Sequence, residues 1–230
     1  MKRRVGRAVV LLGVATVVLG CVRTSDGVAV PVADHVPSVS AAPSTTGTAE
    51  GRSGVTPGVV PTARVPIPAE AVTCSPPVKP AASVTVQIAD PQAPRIVIAV
   101  PGGWSTATGS GDVGARFDGP QGMWATVTIS ATKLDPVAAF TQYADQLMGE
   151  SAVSSVSVLA APLCGYSGQK LMGAWSDTPQ NAVEFTDRVV HVWTNTKAYL
   201  IAVHAQAPTG RTGFGDAASL LTQDFEIGIP

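Results

Sequence analysis

Charged side chains make up only 13% of this 230-residue chain, and no cluster of Lys and Arg follows Arg7. A nucleic-acid surface needs grouped basic residues, so this pattern argues against such a partner. Aromatics are also scarce, at 5%, and none of the 12 lies upstream of Trp104. Residues 22–73 are rich in Val, Ala, Pro, Ser, Thr and Gly. Without bulky side chains they cannot bury enough apolar surface to offset the entropy of ordering, and the stretch reads as a disordered tether. As a flexible chain its 52 residues would span about 40 Å root-mean-square, and roughly 160 Å if extended. His35 falls inside it and reads as solvated. No apolar run reaches the ~20 residues that a spanning helix needs.

The chain opens with Lys2, Arg3, Arg4 and Arg7, continues through an apolar segment at 8–19 and closes on Val18-Leu19-Gly20-Cys21. That order reads as a secretory signal, residues 1–20, ending in a bacterial lipobox, with Cys21 as the lipid-bearing residue. Leu19 stands where Ala or Ser is commoner in such boxes, and an ordinary secreted protein cut nearby is the alternative. Either way the chain is expected outside the cytoplasm, and with Cys21 lipidated on the outer face of the cell membrane. Processing would leave 11 basic and 16 acidic residues, a net charge of −5.

Only three cysteines are present. With Cys21 assigned to the lipobox, Cys74 and Cys164 in an oxidising compartment read as one structural disulfide. Closing a loop of about 90 residues corresponds to roughly 4 to 5 kcal/mol in the chain-entropy picture, an upper figure. No acidic residue or histidine lies close to either cysteine to suggest a metal pair.

The folded domain is expected over 74–230. Residues 84–88 and 95–100 are β-branched, turn-bounded strands, 115–118 reads as another, and 124–132 alternates Trp124, Thr126, Thr128 and Ser130 against Ala125, Val127, Ile129 and Ala131. Asp135 and Pro136 supply a cap and a first helical residue. Val137, Phe140, Ala144, Leu147 and Met148 then form an expected buried stripe. Strands follow at 153–160, 166–175, 182–194 and 197–207, the last two joined by Asn195-Thr196, and a second helix covers about 212–223. The order predicts an α+β fold, an antiparallel sheet packed by helices.

Catalytic motifs are weak. Gly109-Ser110-Gly111-Asp112-Val113-Gly114 matches the dinucleotide fingerprint, but the strand-like Arg116-Phe117-Asp118 follows where a helix is required, so the string reads as a hairpin loop. Gly165-Tyr166-Ser167-Gly168-Gln169 misses the G-x-S-x-G spacing and runs into a strand, not a helix. His191 and His204 sit on the two hairpin strands and could face each other, with Glu184 or Asp187 nearby, as a base or metal site. Packing or surface roles are the plainer alternative. Trp104, Trp124, Trp175 and Trp193 are a large aromatic complement; with Met123, Leu171 and Met172 they could line a cleft for an acyl chain or a sugar ring, or simply fill the core.

Several short motifs together give a resemblance. A lipobox and Pro/Ser/Thr-rich tether lead to Val100-Pro101-Gly102-Gly103-Trp104, then to Leu134-Asp135-Pro136 before a helix, then to Gly165-Tyr166-Ser167-Gly168-Gln169. Over about residues 84–228 the chain resembles the mycobacterial LpqN/LpqT group of lipoproteins. That resemblance implies the PsbP/Mog1 class of fold, an antiparallel sheet sandwiched by helices. It also implies a non-catalytic envelope protein handling glycolipids or touching membrane transporters, with no catalytic residue or cofactor to carry over. Neither Cys74 nor Cys164 belongs to the shared pattern.

The expectation is therefore a membrane-tethered protein binding an envelope lipid, glycolipid or membrane partner, with no metal or cofactor. The alternatives are a divergent hydrolase using His191 or His204, and a structural or antigenic surface lipoprotein without a defined ligand.

Overall fold

The computed structural model describes residues 56–230 apart from 150, 179 and 180. The signal, Cys21 and the tether as far as residue 55 lie outside the described residues. In chain order the elements are β1 (Val72–Cys74), β2 (Ser83–Val86), β3 (Arg95–Ala99), β4 (Ser105–Thr108), β5 (Val113–Asp118) and β6 (Trp124–Thr132). Then come α1 (Pro136–Met148), β7 (Val153–Ala160), β8 (Ser167–Ser176), β9 (Val183–Trp193), β10 (Ala198–Pro208), α2 (Phe214–Leu221) and β11 (Glu226–Gly228). All pairings are antiparallel. They build a seven-stranded sheet in the order β4-β5-β6-β10-β9-β8-β7 and a four-stranded sheet in the order β1-β11-β3-β2. The α+β class expected from the sequence is the class observed.

Alternation decides what each face of the large sheet does. Ala125, Val127 and Ile129 of β6, with Tyr199, Ile201, Val203 and Ala205 of β10, are buried on one side. There they join Ile96 and Ile98 of the small sheet and Phe214, Ala218 and Leu221 of α2 in the principal core. The opposite parity, Trp124, Thr126 and Thr128 on β6 and Leu200, Ala202, His204 and Gln206 on β10, turns toward α1.

Helix α1 begins as its sequence dictates: the Asp135 carboxylate accepts the Ala138 N–H at 2.9 Å, and Pro136 takes the first turn. Its buried stripe is narrower than the apolar spacing suggests. Phe140 and Leu147 are buried and Tyr143 and Ala144 pack beside them, but Val137 and Met148 are each 43% exposed at the two ends of the helix. Helix α2 is shorter than expected, because Gly213 adopts a left-handed φ of 82° just before it. Phe225 lies beyond its end and is buried in the principal core.

Two features of the N-terminal part stand out. Cys74 and Cys164 form the expected disulfide, with Cα atoms 5.5 Å apart, joining β1 to the loop before β8. The packed domain also reaches upstream of Cys74, where a tether was expected. The Gly168 N–H donates to the Gly58 carbonyl at 2.9 Å, Val60 exchanges two hydrogen bonds with the Ser167 hydroxyl, and the Asn195 side chain brackets the Ile67 backbone with two bonds of 2.8 Å. Residues 57–67 are thus a strap laid from β8 to the β9–β10 turn. Gly58 sits at φ 73°, and a Cβ there would collide with the Gly168 carbonyl.

Candidate functional site

Two strands and α1 converge on one polar cluster in the layer beneath the helix. On β9, Asp187 lies in an otherwise mostly apolar strand and is fully buried. Register places it directly opposite His204 of β10. Its Oδ1 accepts from His204 Nδ1 at 2.7 Å, and its Oδ2 accepts from the Tyr143 hydroxyl, delivered by α1, also at 2.7 Å. A carboxyl removed from water in this way needs such partners. Burial, reinforced by Asp187, holds the Tyr143 phenol well above its usual pKa, so it remains a donor.

Aromatic rings enclose the imidazole. Trp175 of β8 lies parallel to His204 with centroids 5.8 Å apart and stacks on Phe185 at 4.6 Å. Trp124 of β6 approaches the other way at 5.3 Å, tilted by 54°, and carries the Arg116 guanidinium at 5.2 Å from its ring. At the rim, His204 Nε2 lies 3.0 Å from Gln206 Oε1. Because Asp187 needs a donor, Nδ1 carries the proton. Nε2 then donates to the Gln206 carbonyl when the ring is charged, or accepts from the turned amide when it is neutral.

A cavity of about 420 Å³ opens over this cluster, walled by Trp124, Trp175, Tyr143, Gln146, His204 and Gln206. Its size falls within the roughly 300–1,000 Å³ of ligand pockets. Flat aromatic walls with amide, imidazole and hydroxyl groups at the edge suit a ring that has an apolar face and polar substituents. The Asp–His pair also has the orientation of a general base and its positioning partner. Among the described residues, however, the hydroxyls lining the cavity are those of Thr126, Thr128 and Tyr143.

Trp124 and Trp175 therefore come together as ligand-wall candidates, while the other two tryptophans do not join them. Trp104 packs its ring against Gly119 beside the principal core, near α2. Trp193 lies with His191 at the opposite end of α1. Met123 and Leu171 are core residues, 3% and 1% exposed, and Met172 alternates onto the other face of β8, so these three do not line the cleft. The two histidines share a sheet face but do not oppose each other: register sets His191 against Leu200 and His204 against Asp187. Glu184 instead accepts the Gly210 N–H at the sheet margin. Among the described residues, no grouping of three His, Cys, Asp or Glu side chains suits a metal ion. Tyr143, Gln146 and Gln206 were missed in the sequence. The available signal was Asp187, an acid on the parity of Phe185 and Val189.

These elements define an α+β sandwich with an aromatic-walled cavity between a helix and an antiparallel sheet. The same fold occurs in LpqN, described as involved in cell envelope biogenesis of Mycobacterium tuberculosis, whose crystal structure superposes with a TM-score of 0.51 at 20% identity. The match covers 65% of this chain and 91% of that one. No protein-family model matches the chain, and no curated protein matches it in sequence.

Proposed function

We propose that this chain is an envelope lipoprotein whose domain binds, without chemistry, the headgroup of an envelope lipid or glycolipid in the cavity beneath α1. The observation that carries the reading is the pair Trp124 and Trp175 flanking the His204–Asp187–Tyr143 cluster over an open cavity of about 420 Å³. The lipobox ending at Cys21 and the fold shared with an envelope protein support the location. Docking to a membrane-protein partner through the same face is the neighbouring form of this reading. Native mass spectrometry of the chain purified gently from its own envelope tests it. A retained acyl or glycolipid mass that Trp175→Ala removes upholds the proposal; an empty protein that binds neither envelope lipid extract nor any envelope protein refutes it.

The 2.7 Å contact between Asp187 and His204 favours one second reading, a hydrolase with His204 as base. It requires that His204→Ala abolish turnover of an ester or glycoside while the fold persists. His191 is the weaker candidate for that role, since its ring is buried and its Nε2 is held by the Leu134 carbonyl at 3.0 Å.

A further inference from the structure

The other end of α1 carries a larger cavity, about 630 Å³, with a different chemistry. From residue 56 onward the chain has nine basic and thirteen acidic residues, a net charge of −4, yet three of those nine cations line this one cavity: Arg64, Lys133 and Lys197. They are far apart in sequence and each is delivered by a separate device. The strap, pinned at Val60 and Ile67, carries Arg64. Thr132 at the end of β6 pairs with Ala198 at the start of β10, so Lys133 and Lys197 both come at the same end of that registered pair, one from each strand.

Of these, Lys197 is partly neutralised by Asp90 at 3.2 Å, whereas Arg64 and Lys133 form no ion pair among the described residues. Among the described residues the one acid in the cavity wall, Asp135, is engaged in capping Ala138. His191 adds a buried imidazole, 5% exposed, whose Nε2 donates to Leu134 and whose Nδ1 has no partner among the described residues. Trp193 supplies an aromatic wall beside it.

We propose that this cavity is a second binding site, independent of the pocket under the other end of α1, for an oxyanion, a phosphate or carboxylate group, carried next to a ring that packs against Trp193. Arg64 and Lys133 would hold the oxygens through charge-assisted hydrogen bonds, the strongest available to a partly exposed site. The group would come either from a soluble phosphate compound or from the phosphodiester of a lipid headgroup.

Isothermal titration calorimetry of the full chain in non-ionic detergent, with inorganic phosphate, glycerol 3-phosphate and glycerophosphoinositol as probes, decides the matter. Saturable binding that weakens with added salt is expected. Arg64→Gln and Lys133→Gln should each weaken it about tenfold, the loss of one charge-assisted hydrogen bond. Both residues are exposed, so thermal stability should be unchanged, and Trp175→Ala in the other pocket should leave phosphate affinity intact. Tighter binding of the diester would assign a lipid headgroup, and tighter binding of the monoester or of inorganic phosphate a soluble ligand. Failure of all three probes to saturate, or a double variant that binds as tightly as the unaltered chain, overturns the site without touching the proposal for the first pocket.

Discussion

Replacing Asp187 is the sharpest test of the cluster beneath α1. The residue has no exposed surface and accepts two hydrogen bonds of 2.7 Å, one from His204 and one from Tyr143. Asp187→Ala would strand both donors in a layer from which water is largely excluded. Removing one partner of a buried charged or polar network costs about 3 to 5 kcal/mol, against a total stability of about 5 to 15 for a domain. Tyr143→Phe removes a single donor and leaves the carboxyl bonded to His204, so its cost should be smaller, about 1 to 2 kcal/mol. Urea unfolding at pH 7, followed by fluorescence of the neighbouring tryptophans, measures both. Because the residues share one network, the double variant should be less unstable than the sum of the two singles, with a coupling of about 0.5 to 3 kcal/mol. An Asp187→Ala cost below about 1 kcal/mol, or strict additivity with Tyr143→Phe, would refute the network.

Reducing the Cys74–Cys164 bond, or replacing both cysteines by serine, should cost about 2 to 5 kcal/mol and lower the melting temperature, as calorimetry with and without reductant can show. Gly58→Ala should lift the strap, since its Cβ would collide with the Gly168 carbonyl; hydrogen exchange at Gly168 and Val60 should speed up while the strands of the principal core stay protected. Alkali should destabilise the fold. Burial raises the pKa of both Tyr143 and Tyr199, the latter also bonded to Asp90 at 2.7 Å. Their stabilising contribution is complete below the unfolded tyrosine pKa of about 10 and is lost as pH rises above it, because the unfolded chain releases those protons first. Unfolding midpoints between pH 8 and 11.5, on scales near that reference value, should fall steeply in the unaltered chain and less steeply in Tyr143→Phe.

The strands, the first helix and the hairpin were legible because period and burial coincide: Trp124–Thr132 alternates in sequence and alternates in exposure. Three short strands were not. β4 has all four residues exposed, and β1 and β11 span three residues each, too few for a period to show. The strap was misjudged for a different reason. Its hold on the domain runs through backbone groups of Gly58, Val60 and Ile67, and such contacts leave no trace in composition. At the candidate site the histidine and two tryptophans were visible as residue types. Their grouping was not, because it depends on the one-residue pairing that sets Asp187 against His204 and on the turn of α1 that brings in Tyr143.

Both cavities follow from one mismatch in the architecture. On one side the large sheet is covered by a second sheet and α2, and the residues of that parity on β6 and β10 are apolar, with Arg188 of β9 a buried exception that pairs with Asp224. On the other side the cover is α1, the one helix there among the described residues, with the strap beside it through Val59. The 13 residues of α1 extend about 20 Å, while seven strands spaced about 4.8 Å apart stretch roughly 29 Å from edge to edge. A single helix about 10 Å wide cannot seal such a face. The central part it does cover carries Phe140, Leu171, Val189 and Ala202 in a small apolar cluster. Toward its two ends the same parity switches to residues that tolerate or need water: Trp124, Thr126, His204 and Gln206 at one end, and His191, Trp193 and Thr132 at the other. Had this face evolved only for stability, a second helix or a run of aliphatic residues would close it at little cost in fold. Instead the chain places buried hydrogen-bonding groups there, each costly without a partner, at the margins of open cavities. Those groups lie on the α1 side of the sheet, and the binding proposed for this chain rests on that side, with the α2 side serving as the core.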